Sequence, residues 1–110
     1  MKMTLKKVCN HVGVTRRAVQ GYEKAGLVKP IDKNKYGHLL YDDNEIEKIK
    51  ETKKYQDFGF SIKEIKVLQA LPEVEYLEKL KSQLMLLQSE MQKLKSSIEE
   101  LEQLIAIHTK

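Results

Sequence analysis

The feature that most limits what this chain can become lies in its last third. Glu73 to His108 contains no Gly and no Pro, and its apolar residues fall at Leu77, Leu80, Leu84, Leu87, Met91, Leu94, Ile98, Leu101 and Ile105, alternately three and four apart. That is a heptad seam with Leu77, Leu84, Met91, Ile98 and Ile105 at a, Leu80, Leu87, Leu94 and Leu101 at d, and His108 in the next d. A seam this long predicts a coiled coil, and at 1.5 Å per residue its helix would be roughly 50 Å long. The rest of the chain reads as about four short helices, too little to cover the seam. The helix therefore needs a partner, of which the simplest is a second copy of itself. A parallel pair sets Glu90 against Lys95 of the partner subunit; an antiparallel pair sets Lys81 against Glu102 of the partner subunit. Each such pair is worth about a few tenths of a kcal/mol, and no Asn stands at an a position, so these residues leave the orientation open.

Composition divides the chain at the same place. It has 110 residues, two Pro and no Trp, and 33% of it is charged, which suits one small domain with an appended helix. Residues 1–72 carry 15 Lys and Arg against 9 Asp and Glu, whereas residues 73–110 carry 5 against 7. A basic part beside a slightly acidic one suggests that the first meets a polyanion. No apolar run of roughly 18 residues marks a transmembrane helix, and the basic start MKMTLKK lacks the apolar core of a signal peptide. One Cys allows no internal disulfide, so a cytoplasmic protein is expected.

Within residues 1–72, Thr4 is placed to cap a short helix with Leu5, Val8, Cys9 and Val12 on one stripe. Gly13 breaks it and Thr15 caps the next helix, which runs to about Lys24 and stops at Ala25-Gly26. That helix turns Ala18, Val19 and Tyr22 inward and Arg16, Arg17, Gln20 and Lys24 outward. Two short helices joined this way are the sequence form of a helix-turn-helix. Pro30 then forbids helix, and the Asn34-Lys35-Tyr36-Gly37 turn between Ile31 and Leu39-Leu40 reads as a two-stranded wing made basic by Lys29, Lys33 and Lys35. Asp42, with Glu45 at the capping-box position, opens a third helix whose less polar side is Ile46, Ile49, Thr52, Tyr55 and Phe58. Gly59 ends it. Ser61 and Glu64 form a second capping box, and Pro72 stands at the next helix start or break. The expected fold class is all-α: a winged helix-turn-helix domain over 1–72, then a long coiled-coil dimerisation helix over 73–110.

Several of these segments together resemble the mercury-resistance-regulator (MerR) family of bacterial transcription regulators. They are Gly13-Val14-Thr15, Tyr22-Glu23, Gly26-Leu27-Val28, Lys29-Pro30, Gly37-His38-Leu39-Leu40-Tyr41 and Phe58 through Ile65. The resemblance runs from about Met3 to Leu71. It implies a homodimer joined by an antiparallel coiled coil, with the second helix of each subunit in the major groove of double-stranded DNA. Thr15, Arg16, Arg17 and Gln20 would then face the groove, Tyr22 would approach a phosphate, and Lys33, Lys35, Tyr36 and His38 would lie on the wing. It also implies a promoter that is bent and untwisted so that RNA polymerase can engage it. The chemistry fits, since Arg reads guanine and Gln reads adenine with paired hydrogen bonds, and wing lysines neutralise phosphates. Two-fold symmetry predicts a pseudopalindromic site. Two familiar arginines are absent: Gln20 stands where the family usually has one in the second helix, and Leu39 where it has one in the wing.

The sequence offers no sign of an effector. Cys9 lies on an apolar stripe and reads as packing. No group of ligands has metal spacing, no cofactor motif is present, and too little chain follows the seam for a ligand pocket. His108 could titrate but lies at a terminus. Tyr76, Met85, Leu86, Leu104 and Ile107 lie off the seam and are candidates for packing on a partner subunit. No grouping of catalytic residues is present, so an enzyme is not expected. Two readings stand beside a dimeric regulator. In one the coiled coil is an interaction module and DNA binding is weakened; in the other the chain is an excisionase-like architectural DNA binder.

Overall fold

The computed structural model describes residues 1–109 and divides into two units, Met1–Leu71 and Pro72 onward. The first begins with strand β1 (Lys2–Thr4), which runs directly into helix α1 (Leu5–Val12). Thr4 serves both: it pairs with Leu40 in the sheet, and its hydroxyl accepts the Lys7 N–H at 3.4 Å to cap α1. Gly13 closes α1 at φ 80°, a left-handed conformation that costs glycine little. Thr15 then caps α2 (Arg16–Lys24), accepting the Ala18 N–H at 3.0 Å. α2 ends as a Schellman motif, with Gly26 N–H bonding Glu23 C=O at 3.0 Å and Leu27 N–H bonding Tyr22 C=O at 2.9 Å.

The wing is β2 (Asp32–Lys33) and β3 (Leu39–Asp42), paired antiparallel with Lys33 opposite Leu39. It is not a free two-stranded hairpin. β1 adds to the other edge of β3, with Lys2 opposite Asp42 and Met3 opposite Tyr41, so that β3 is the middle of three strands. The central strand thus ties the wing to the start of the helix-turn-helix. Lys2 Nζ reaches Asp32 at 3.1 Å, linking the two outer strands. The Asp32 carboxyl is held below its usual range, first by the Lys33 N–H that it accepts and then by Lys2.

Helix α3 (Asp43–Asp57) starts on Asp42, whose carboxylate accepts the Glu45 N–H at 2.9 Å. The reciprocal half of the capping box differs from expectation. The Glu45 carboxylate is 3% exposed, takes Lys48 Nζ on one oxygen at 3.4 Å, and leaves its other oxygen without a hydrogen-bond partner among the described residues. The drifting apolar side of α3 is buried at Ile46, Ile49 and Thr52, half-buried at Tyr55 and exposed at Phe58. Helix α4 (Ile62–Leu68) has the full capping box of Ser61 and Glu64, with bonds of 3.0 and 3.1 Å. Val8, Val19, Tyr41, Ile49 and Ile65 are sealed at 0% exposure, so α1, α2, β3, α3 and α4 share one core.

The second unit is helix α5 (Glu73–His108), with Pro72 as its N-cap. Within the single chain its seam is open: Leu77, Leu84, Leu87, Met91, Leu94, Ile98, Leu101 and Ile105 are 37–66% exposed, and Leu80 is half-buried. No helix among the described residues is long and apolar enough to cross a membrane. Cys9 is half-buried on α1.

Gly21, in the middle of α2, faces α4. A methyl group there would meet Ile62 Cδ1 at 3.5 Å, an ordinary contact. Since a mid-helix glycine costs about 1 kcal/mol against alanine, Gly21→Ala is expected to raise the unfolding free energy by about 0.5–1 kcal/mol. A urea titration at fixed protein concentration checks this; a lower midpoint would mean that the α2–α4 contact has no room.

Candidate nucleic-acid interface

The exposed face of α2 follows from its register. Val19 and Tyr22 are buried at 0% and 1%, so the opposite side of the helix points to solvent. Thr15, Arg16, Arg17, Gln20 and Lys24 are all exposed. Thr15 uses its oxygen as an acceptor in the cap and keeps its hydroxyl proton for an outside acceptor.

Two phenols fix the inner face of this helix. The Tyr41 hydroxyl donates to the Glu23 carboxylate, and the Tyr22 hydroxyl donates to Gln56 Oε1 at 2.7 Å. They join α2 to the central strand and to α3, which holds the Arg16–Gln20 face at a set angle to the wing. Burial and then Glu23 hold the Tyr41 hydroxyl well above its usual range, so it stays a neutral donor. Tyr41→Phe strands a half-buried carboxylate and should cost about 1–2 kcal/mol of stability. Thermal unfolding at fixed protein concentration tests this; an unchanged midpoint would show that the bond contributes nothing net.

Tyr22 needs a correction. The expected phosphate contact does not fit a side chain 1% exposed, whose single hydroxyl proton is engaged by Gln56. Burial, then the Asp57 charge, push its hydroxyl pKa up. The apolar stripe that turns Val19 inward carries Tyr22 inward with it, and here its role is to anchor α2.

The wing tip is organised by Asn34. Its side-chain oxygen accepts the N–H groups of Tyr36 and His38, each at 3.0 Å. Gly37 takes φ 81°, and its N–H returns to the Asn34 carbonyl at 3.0 Å. The tight turn leaves Lys33, Lys35, Tyr36 and His38 exposed. Lys35 Nζ lies 5.2 Å from the centre of the Tyr36 ring, and the Tyr36 and His38 rings are 6.3 Å apart. Of the expected residues, Arg16, Gln20 and His38 come together around one recess. Thr15 and Arg17 stand on α2 outside its lining, as do Lys33, Lys35 and Tyr36 on the wing. Lys6 of α1, which is not among the expected residues, also lines that recess. Its only sequence signal is that it faces away from the apolar stripe of α1. Among the described residues no group of His, Cys, Asp and Glu could hold a metal ion.

This arrangement is a winged helix-turn-helix followed by a long helix. The family described as MerR HTH family regulatory protein matches residues 3–71, and the chain belongs to that family. Among curated relatives, Heavy metal-dependent transcription regulator 1 of Rhizobium meliloti (strain 1021) is 34% identical over 59 residues, which are 54% of this chain and 40% of that protein. The chain thus spans well under half of that relative. Among solved structures, a MerR family transcriptional regulator from Bacillus cereus superposes with a TM-score of 0.82 at 25% identity, over 100% of this chain and 84% of the other. HiNmlR, a MerR family regulator lacking the sensor domain and crystallised bound to promoter DNA, superposes with a TM-score of 0.79 at 21% identity, over 100% and 88%. At that identity the likeness is one of fold.

Proposed function

We propose that this protein is a sequence-specific, DNA-binding transcription regulator without catalytic activity, which works in the cytoplasm. It binds a pseudopalindromic promoter site as a homodimer and acts by distorting the promoter DNA for RNA polymerase. The observation that carries this reading is the exposed face of α2, Arg16, Arg17 and Gln20, held beside a basic wing on a head of the MerR family. Residues 1–72 are the DNA-binding domain, and the helix from Glu73 is the dimerisation element. The promoter DNA held by HiNmlR supports the same class of ligand for a shared fold. The open seam of α5 supports self-pairing, and the resemblance favours the antiparallel arrangement. The groove contacts are Thr15, Arg16, Arg17 and Gln20, with Lys33, Lys35, Tyr36 and His38 on the wing.

Selection of duplexes from a random library tests the proposal. Enrichment of an inverted repeat is expected, because a two-fold protein reads the same half-site twice. Binding with no sequence preference at moderate salt would sink the regulator reading. It would favour the coiled coil as the functional part, the alternative suggested by Gln20 and Leu39 standing where the family usually has arginine.

A further inference from the structure

A recess of about 410 Å³ opens between the start of α1, the exposed face of α2 and the tip of the wing. Lys6, Arg16, Gln20 and His38 stand around it, and no acidic residue lines it. Each of the four is exposed, and they come from three separate elements. Among the described residues the lysines in ion pairs are Lys2, Lys48, Lys50 and Lys53, which leaves Lys6 and Arg16 without a carboxylate. Two unpaired cations facing one recess repel each other, and an anion between them turns that repulsion into attraction. At the wing tip Gly37 presents bare backbone: a Cβ built there would meet nothing within 4 Å.

We propose that this recess is a phosphate site in which Lys6, Arg16 and His38 together hold one backbone phosphate of bound DNA. This rests on the DNA-binding reading and adds to it a contact from α1, Lys6. It also divides the work of α2, making Arg16 a backbone contact and leaving Arg17 and Gln20 to the base edges. The backbone is the source because the recess lies between the reading face of α2 and the lysines of the wing. An open recess of this size also admits a phosphate with its attached sugar. The site supplies two cations at a part of the head where Gln20 and Leu39 have replaced the family's usual arginines.

Affinity measured against salt on the selected duplex tests the clamp. Neutralising one phosphate contact lowers the slope of log K against log salt by about 0.9. Lys6 and Arg16 share that phosphate, so Lys6→Ala should lower the slope by part of this, and Lys6→Ala combined with Arg16→Ala by about 0.9 for each head bound, equally on specific and non-specific duplexes. Lys7→Ala removes the same charge one residue away, outside the lining, and should leave the slope unchanged. An unchanged slope for Lys6→Ala, or equal falls for Lys6→Ala and Lys7→Ala, would overturn the clamp. In a second arm, inorganic phosphate is titrated into the protein without DNA while the His38 ring is followed by NMR. A response that stays far from saturation at millimolar phosphate is expected, whereas saturation well below that would assign the recess to a free anion instead. A wild-type protein that selects no duplex overturns the DNA reading and the clamp together. A selective wild type with an unchanged Lys6→Ala slope overturns the clamp alone.

Discussion

Leu94→Glu is expected to dissociate the proposed homodimer at concentrations where the wild-type chain pairs. Leu94 is 66% exposed in the single chain and lies at the middle of the seam. In an antiparallel pair the two-fold axis passes near Met91 and Leu94, so one substitution strikes the centre of the interface twice. Losing the burial of each leucine costs about 1.5–3 kcal/mol, and placing a carboxylate in the same apolar position adds a further penalty. Two copies together weaken the dimer by at least about two to four orders of magnitude in Kd. The head should stay folded, because its sealed residues, Val8, Val19, Ile49 and Ile65, all belong to the unit Met1–Leu71. Sedimentation equilibrium checks the mass, with Lys93→Glu, off the seam, as the control that should remain dimeric. A Leu94→Glu protein that keeps the wild-type mass would show that the seam is not the interface. Orientation is read separately in a Cys9→Ser background. Lys81→Cys combined with Glu102→Cys should cross-link between antiparallel subunits, whereas parallel helices would keep these positions far apart.

Local signals were legible in the sequence, and contacts between distant residues were not. The caps at Thr4, Thr15, Asp42 and Ser61 each act within one turn of helix, and all four side chains accept the N–H three residues on. The α5 boundaries, Glu73 to His108, follow from a seam without a breaker. β1 is not legible locally, because three residues carry too little pattern, and what makes them a strand is pairing with β3, with Lys2 opposite Asp42. The inward turn of Tyr22 follows from helical period, but its hydrogen bond to Gln56 spans 34 residues, which no local rule anticipates. Glu45 had the spacing of a capping box, yet its carboxylate turned to Lys48. The candidate interface divides in the same way. The outward face of α2 follows from helical period, whereas the meeting of Lys6, Arg16 and His38 depends on how β1 and the wing share one sheet.

Replacing both Arg16 and Arg17 by alanine should all but remove specific DNA binding while leaving the protein folded. Both side chains are exposed on α2, and among the described residues neither forms an ion pair. Surface changes of this kind move stability by about 0.5 kcal/mol at most, so the thermal midpoint should hold. Binding loses far more. A well-placed base contact discriminates by about 1–3 kcal/mol, and a dimer loses each contact twice, so the pair of substitutions should weaken affinity by about a thousandfold or more. The single variants should fail differently. Arg16→Ala should lower the salt slope by part of the about 0.9 per head that its shared phosphate is worth and weaken all duplexes alike, as loss of a backbone contact requires. Arg17→Ala should relax base preference at one position of each half-site and change the slope little. An Arg17→Ala protein whose slope falls while its base preference is intact would move Arg17 to the backbone. That would leave Gln20, where the family usually has arginine, as the main reader of sequence on this helix.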